Sequence, residues 1–192
     1  MTTSRTRSAP AKPRIGGRRR RWPLAVGAVL ALVAGGAVWR RRTHPLLLLR
    51  AEVEIDAGPD EVWQVLADLP AYAEWNPYVV RSTGDLRVGA TLTNVHEFRS
   101  GQRTFTPTVL AVEPGRELRW MARLPVPGIF AGEHSFVITP IAPGRVRLVQ
   151  EETFRGVAVP IMRGWLHSQA LPAFEELNAA LQERVETLYP RP

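Results

Sequence analysis

The chain has 192 residues, 45% hydrophobic and 22% charged, with 25 Lys and Arg against 18 Asp and Glu. Residues 1–50 hold 12 of those bases and no acid, leaving 13 against 18 for the rest, so the folded part is acidic and argues against nucleic-acid binding. Cysteine is absent, which excludes disulfides and thiolate chemistry.

Residues 1–21 are rich in Ser, Thr, Arg and Pro and read as a disordered basic tail. Between Arg21 and Arg40 lie 18 uncharged, mostly apolar residues. As a helix this run measures about 27 Å, close to the ~30 Å hydrocarbon thickness of a bilayer. Trp22 and Trp39 stand at its ends and arginines flank both sides, the arrangement of a transmembrane helix over 22–39. Three alternatives compete, one of them a buried soluble helix, which would not be fenced by arginine on both sides. Gly35, Gly36 and Ala37 could serve a cleaved signal, although Arg40 to Arg42 directly afterwards oppose processing. Arg19 and Arg20 with Trp22 weakly suggest a twin-arginine signal. Eight bases precede the span and four follow, so a single-pass protein would keep its N-terminus cytoplasmic and its domain extracytoplasmic. Gly27, Ala31 and Gly35 place small side chains on one face, which would permit a weak homodimer through that helix.

Residues 40–45 are a short linker, and a single domain is expected over 46–188. Leu47, Leu49, Ala51, Val53 and Ile55 alternate with more polar neighbours, the period of a half-buried strand. Pro59 opens a helix whose Asp60 and Glu61 suit its first turn and whose Val62, Val65, Leu66 and Leu69 share one face. Pro70 limits it, Ala71 to Trp75 add a short helical turn, and Pro77 forces Asn76 into an extended conformation. Strand-like runs then follow, punctuated by "RSGQ", "EPGR", "PVPG" and "APGR", and predict five or six antiparallel strands in one meander. Ile161 to Leu188 predict a long helix with a stripe of Phe174, Leu177, Leu181, Val185 and Leu188.

That order, with "IDAGPDEVWQVLADLPAYAEWNPYV", "GEHSFVITPI", "VRLVQEETF" and "FEELNAAL", resembles the START-like SRPBCC superfamily and its polyketide cyclase/dehydrase-like proteins over about residues 46–188. The resemblance implies an α+β helix-grip fold, an antiparallel sheet wrapped on the long C-terminal helix, with a hydrophobic ligand cavity between them. It also implies that the corner at Trp75, Asn76 and Pro77 mainly shapes the fold. Trp63, Tyr72 and Trp75 are read as packing, and Asn76 as bonding nearby backbone.

Strand parity puts Gly132, His134, Phe136 and Ile138 on one face, with Leu148, Gln150, Glu152 and Phe154 facing them. Leu118, Trp120, Ala122 and Leu124 share that side, and His96 shares parity with Leu92, Asn94 and Phe98. The expected ligand-binding set is Phe98, Trp120, His134, Phe136, Gln150, Glu152, Phe154 and Trp165. Within it, His134 and Glu152 are candidate acid/base groups, and two readings stand. A half-buried Glu beside a His can exchange protons, yet a Glu-His-Gln cluster also satisfies itself as structure.

His44, His96, His134 and His167 show no paired ligand spacing, so no metal is expected. No dinucleotide, P-loop or esterase-elbow motif occurs, and no cofactor is expected. Three functions remain open: a membrane-anchored binder of a small hydrophobic or lipid-like molecule, a polyketide cyclase or dehydratase, and a non-catalytic interaction scaffold. "PVPGIF" and "GVAVPIM" are apolar for loops. Exposed Val126, Ile129, Phe130, Val159, Ile161 and Met162 would dip into a membrane, or both loops would plug the core.

Overall fold

The alternation over Leu47–Ile55 forms β1, with Leu47, Leu49, Ala51 and Ile55 buried and Leu48 and Arg50 exposed. In this computed structural model, residues 35–36, 46–98 and 101–191 are described. The expected tail, the linker and all but two residues of the expected span lie outside them. Among the described residues, no helix is long and apolar enough to cross a membrane.

After β1, Gly58 caps α1 (Pro59–Ala67), and its N–H donates to the Glu61 carboxylate at 2.7 Å. A 3₁₀ turn over Leu69–Ala71 leads into α2 (Tyr72–Trp75). The Tyr72 hydroxyl is buried and donates to the Leu66 carbonyl at 2.7 Å. Asn76 is extended, as Pro77 requires, and its Oδ1 accepts from the N–H groups of Tyr78 and Val79 at 3.0 and 2.8 Å. The corner is therefore structural. It turns the chain into β2 (Val79–Thr83).

The remaining strands are β3 (Thr93–Phe98), β4 (Gly101–Phe105), β5 (Thr108–Glu113), β6 (Glu117–Arg123), β7 (Ala131–Ala142) and β8 (Arg145–Arg155). They correct the expected single meander of five or six strands. Among the described residues, seven strands follow the two short helices and, together with β1, form a five-stranded sheet ordered β1-β8-β7-β6-β5 and a three-stranded sheet ordered β2-β3-β4. The run "RTFTPTVLAV" breaks at Thr106 and Pro107, because proline lacks the N–H a continuous ladder needs. A lone bridge, Thr91 to Thr108, links the two sheets.

The chain closes with α3 (Val159–Leu188), 30 residues long and thus about 45 Å. Pro172 stands inside it and leaves the Ser168 carbonyl without its helical donor. The Gln169 side chain donates to that carbonyl at 3.1 Å. On the buried side of α3, Phe174, Leu181 and Val185 keep the expected stripe, Asn178 interrupts it, and Leu188 is exposed.

The apolar core is divided. One cluster joins Ile55, Leu118, Phe136, Ile138, Val146, Leu148, Leu181 and Val185. A second joins Leu47, Leu49, Ala51, Phe154, Val159, Leu166 and Phe174, and a third joins Leu69, Tyr72, Val79, Leu92 and Val109. On β7 and β8 the polar residues His134, Gln150 and Glu152 stand between the first two clusters, and they make the site.

Candidate functional site

Read inward along β8, the side chains are Val146, Leu148, Gln150, Glu152 and Phe154; along β7 they are Ile138, Phe136, His134 and Gly132. Register sets His134 opposite Glu152 and Phe136 opposite Gln150. A belt of His134, Gln150 and Glu152 thus crosses the concave face where the two apolar clusters part. The Gln150 Nε2 lies 2.9 Å from the His134 Nε2, and the His134 Nδ1 lies 3.6 Å from the Glu152 Oε2. With the amide assigned this way, Gln150 donates, the His134 Nε2 accepts, and the proton of a neutral imidazole sits on Nδ1, facing the carboxyl.

Burial sets the protonation. It pushes Glu152 up to about 8. It pushes His134 down to about 3, with a smaller push from His96. At neutral pH the pair is therefore an uncharged acid beside an uncharged imidazole, and its 3.6 Å separation is a contact rather than an ion pair. A neutral carboxyl keeps one O–H to donate, and the assembly can pass or hold a proton near pH 8.

Aromatic rings wall the belt. Phe136 stacks on His134 with centroids 4.8 Å apart, Phe174 approaches it at 4.9 Å and Trp120 at 5.6 Å. Phe130 and Phe154 meet at 5.6 Å beyond Glu152. Although central, the His134 and Glu152 side chains keep 14% and 18% of their surface exposed. Trp120, Ala122, Phe130 and Met162 are also half-buried, whereas Leu118, Leu148, Leu181 and Val185 are sealed at 0%. Burial beside the belt is complete at the Leu181 end and partial at the Phe130 end.

Gly132 makes room for the carboxyl: a Cβ there would lie 2.2 Å from the Glu152 Oε1. Because that oxygen ends a flexible side chain, Gly132→Ala is expected to displace the carboxyl rather than the strand. The Glu152 titration, followed by carboxyl NMR, should then depart from about 8. The melting temperature should move by no more than about 3 °C. An unchanged titration would show that Gly132 does not position Glu152.

Two features escaped sequence reasoning. One is the role of Gly132, which parity placed on the inward face without showing that it makes room for Glu152. The other is Asn178, 2% exposed on α3, one turn after Phe174 and three residues before Leu181, hence on the face that meets the belt. Neither its Nδ2 nor its Oδ1 has a hydrogen-bond partner, and the Gln150 Oε1 is likewise unpartnered. A polar residue breaking the apolar stripe of a core helix was the available signal.

The remaining candidates lie on other elements or at the surface. Phe98 is 37% exposed on β3 of the smaller sheet, where it neighbours His96 at 6.0 Å and Phe105 at 6.4 Å. Trp165 is 59% exposed on α3, and Leu124 is 47% exposed at the end of its strand's inward row. His96 is half-buried on the central strand of the smaller sheet, and burial holds it down at about 4. A surface groove of about 290 Å³, lined by Glu74, Trp75, Ala180, Glu183, Arg184 and Thr187, contains none of the belt residues. Among the described residues, no cluster of His, Cys, Asp and Glu could hold a metal ion.

The family model "Polyketide cyclase / dehydrase and lipid transport" matches residues 48–186, most of the chain and all elements from β1 into α3. The chain belongs to this family. No curated protein matches it in sequence. Among solved structures, this family member resembles the di-domain ARO/CYC BexL from the BE-7585A biosynthetic pathway (TM-score 0.64, 15% identity, 76% of this chain). It spans about half, 48%, of that protein's length. It also resembles the Zhui aromatase/cyclase from Streptomyces sp. R1128 (TM-score 0.61, 18% identity, 73% of this chain and 93% of that one). A START superfamily protein from Mycobacterium smegmatis is similar as well (TM-score 0.59, 23% identity, 73% of this chain and 98% of that one). At these identities the likenesses establish the fold alone, the helix-grip arrangement of an antiparallel sheet with a long C-terminal helix.

Proposed function

We propose that this chain binds a small hydrophobic molecule bearing a polar group, with the polar group on His134, Gln150, Glu152 and Asn178 and the remainder against Trp120, Phe130, Phe154 and Phe174. The observation that carries this reading is the set of buried, unpartnered amide atoms on Gln150 and Asn178 between apolar clusters. Such atoms cost stability unless something bonds them, and convergent polar groups inside an apolar space are the usual signature of a ligand site. A membrane location through residues 22–39 belongs to the same proposal.

Native mass spectrometry of the detergent-purified full chain tests it. A hydrophobic compound is expected to co-purify, and Asn178→Leu is expected to lose it. Because that substitution removes an unpartnered amide, it should also raise stability by about 1 kcal/mol, read from denaturant unfolding. A ligand-free spectrum in every preparation would overturn the binding reading, and retained ligand with unchanged stability would remove Asn178 from it.

A second reading is favoured by the protonation state of the belt. A carboxyl titrating at about 8 beside a neutral imidazole is matched to general acid/base work at neutral pH, as a cyclase or dehydratase requires. Under that reading Glu152→Gln abolishes turnover and leaves ligand affinity intact.

A further inference from the structure

Large apolar side chains stay exposed at one end of the larger sheet: Ile161 at 89%, Val126 at 61%, Trp165 at 59% and Leu124 at 47%, with Leu48 of β1 at 53% beside them in the register. Register defines this end. Leu47 pairs with Phe154, and Ala131 pairs with both Arg123 and Arg155. The starts of β1 and β7, the ends of β6 and β8, and the N-terminus of α3 therefore lie together. Phe130 and Met162, half-buried here, stand on the open side of the polar belt.

The two apolar segments form one unit. Val157 and Ala158 donate their N–H groups to the carbonyls of Gly128 and Ile129, each at 3.0 Å. Gly156, at φ +123°, lets the two segments approach so closely that a Cβ would lie 2.3 Å from the Ile129 carbonyl oxygen. This packing corrects the expected membership of the patch. Val159 is buried at 1% and Ile129, Phe130 and Met162 are half-buried, while Leu124 and Trp165 join Val126 and Ile161 outside.

We propose that this end of the domain is a membrane-docking face, on which Leu124, Val126, Ile161 and Trp165 enter the headgroup region of a lipid bilayer. Contiguous exposed apolar side chains call for a partner, and an exposed tryptophan suits the lipid–water interface. Ile161 and Trp165 are four residues apart and share one helix face. Exposed Arg123 and Arg163 flank the patch, while Glu133 of β7 is already held by Arg119 and Arg155 at 3.2 and 3.0 Å. The chain also enters the domain here, where the Leu46 N–H donates to the Phe154 carbonyl at 2.9 Å. The apolar run 22–39 precedes it by a six-residue linker whose reach is about 22 Å, so a span in that run would hold this end at the bilayer. Passage of a ligand between bilayer and belt rests on the binding function proposed above; the docking itself does not.

The test uses residues 45–192, a folding unit by the measure of the M. smegmatis relative, 98% of whose chain this domain covers. The fragment is expected to co-sediment with phosphatidylcholine vesicles and more strongly when phosphatidylglycerol is added. The combined variant Val126→Ser, Ile161→Ser, Trp165→Ser should bind at least tenfold more weakly with an unchanged melting temperature, since all three side chains are exposed. Failure of the fragment to bind either vesicle overturns the proposal, as does equal binding by the variant. A dimer in vesicle-free solution that the variant dissociates, without vesicle binding, would assign the face to a second copy and overturn it too. Ligand co-purification is measured separately, so either idea can fall without the other.

Discussion

Glu152→Gln is expected to make the protein more stable at pH 8 and to matter little near pH 4.5. The folded carboxyl titrates at about 8 against an ordinary value of 4.5, because burial penalises its charged form. Below pH 4.5 it is protonated folded and unfolded, and it costs nothing. As pH rises towards 8, the unfolded chain releases the proton and the folded one keeps it, so stability falls by about 1.4 kcal/mol per pH unit. The total is on the order of 4 kcal/mol, or roughly 10 °C in melting temperature for a domain of this size.

Histidines supply the opposite limb. His134 is held down at about 3 and His96 at about 4, against an ordinary 6.5. Each must remain neutral in the fold while the unfolded chain takes up a proton, so stability rises with pH until about 6.5. Wild-type stability should therefore peak near pH 6.5, and Glu152→Gln should level the alkaline side and steepen the rise between pH 4.5 and 6.5, leaving the limb below pH 4.5 in place. Melting curves of both proteins from pH 4 to 9 decide this. Parallel curves would mean that Glu152 ionises at its ordinary value, and the neutral acid–imidazole pair would be wrong.

A carboxyl that weakens the fold at neutral pH stands where stability alone would place an apolar residue, as at Leu148 and Phe154 on either side of the belt. Sequence rules fail in this way at functional positions. The alternation along β7 and β8 was legible because a half-buried strand has a period of two, and it brought His134, Gln150 and Glu152 to one face without any structure. It could not show how far that face extends. Phe98 has the right parity on β3, but β3 belongs to the smaller sheet, and the switch at Pro107 follows from one missing N–H whose sheet-level consequence is not local. Trp165 lies on a helix whose apolar residues do not sort cleanly into one stripe, so spacing did not reveal that it faces outward. Gly132 matters only through the carboxyl diagonally across from it on β8, a pairwise fact invisible in composition. The loops around Phe130 and Met162 were legible as apolar, while which residues turn inward depends on the close approach at Gly156.

Phe136 separates the floor of the site from its walls and should show the largest loss of stability on truncation. It is 2% exposed, lies opposite Leu118 and Gln150, and touches Trp120 at 5.4 Å and His134 at 4.8 Å. Sequence parity placed it in the ligand wall, but its cluster is the sealed one, with Leu148, Leu181 and Val185 at 0%. Phe136→Ala is expected to cost about 3–5 kcal/mol, lost burial plus a cavity that the rigid β7–β8 ladder cannot collapse. That is a large part of the ~5–15 kcal/mol holding a domain together. Phe136→Leu refills most of the volume and should cost less than about 1.5 kcal/mol. If Phe136 is floor, the leucine variant keeps the co-purifying ligand and the loss in the alanine variant tracks unfolding. If the leucine variant folds with near wild-type stability and still loses the ligand completely, the ring itself is a contact, and the space beside the belt reaches deeper into the Leu181 cluster than its burial indicates.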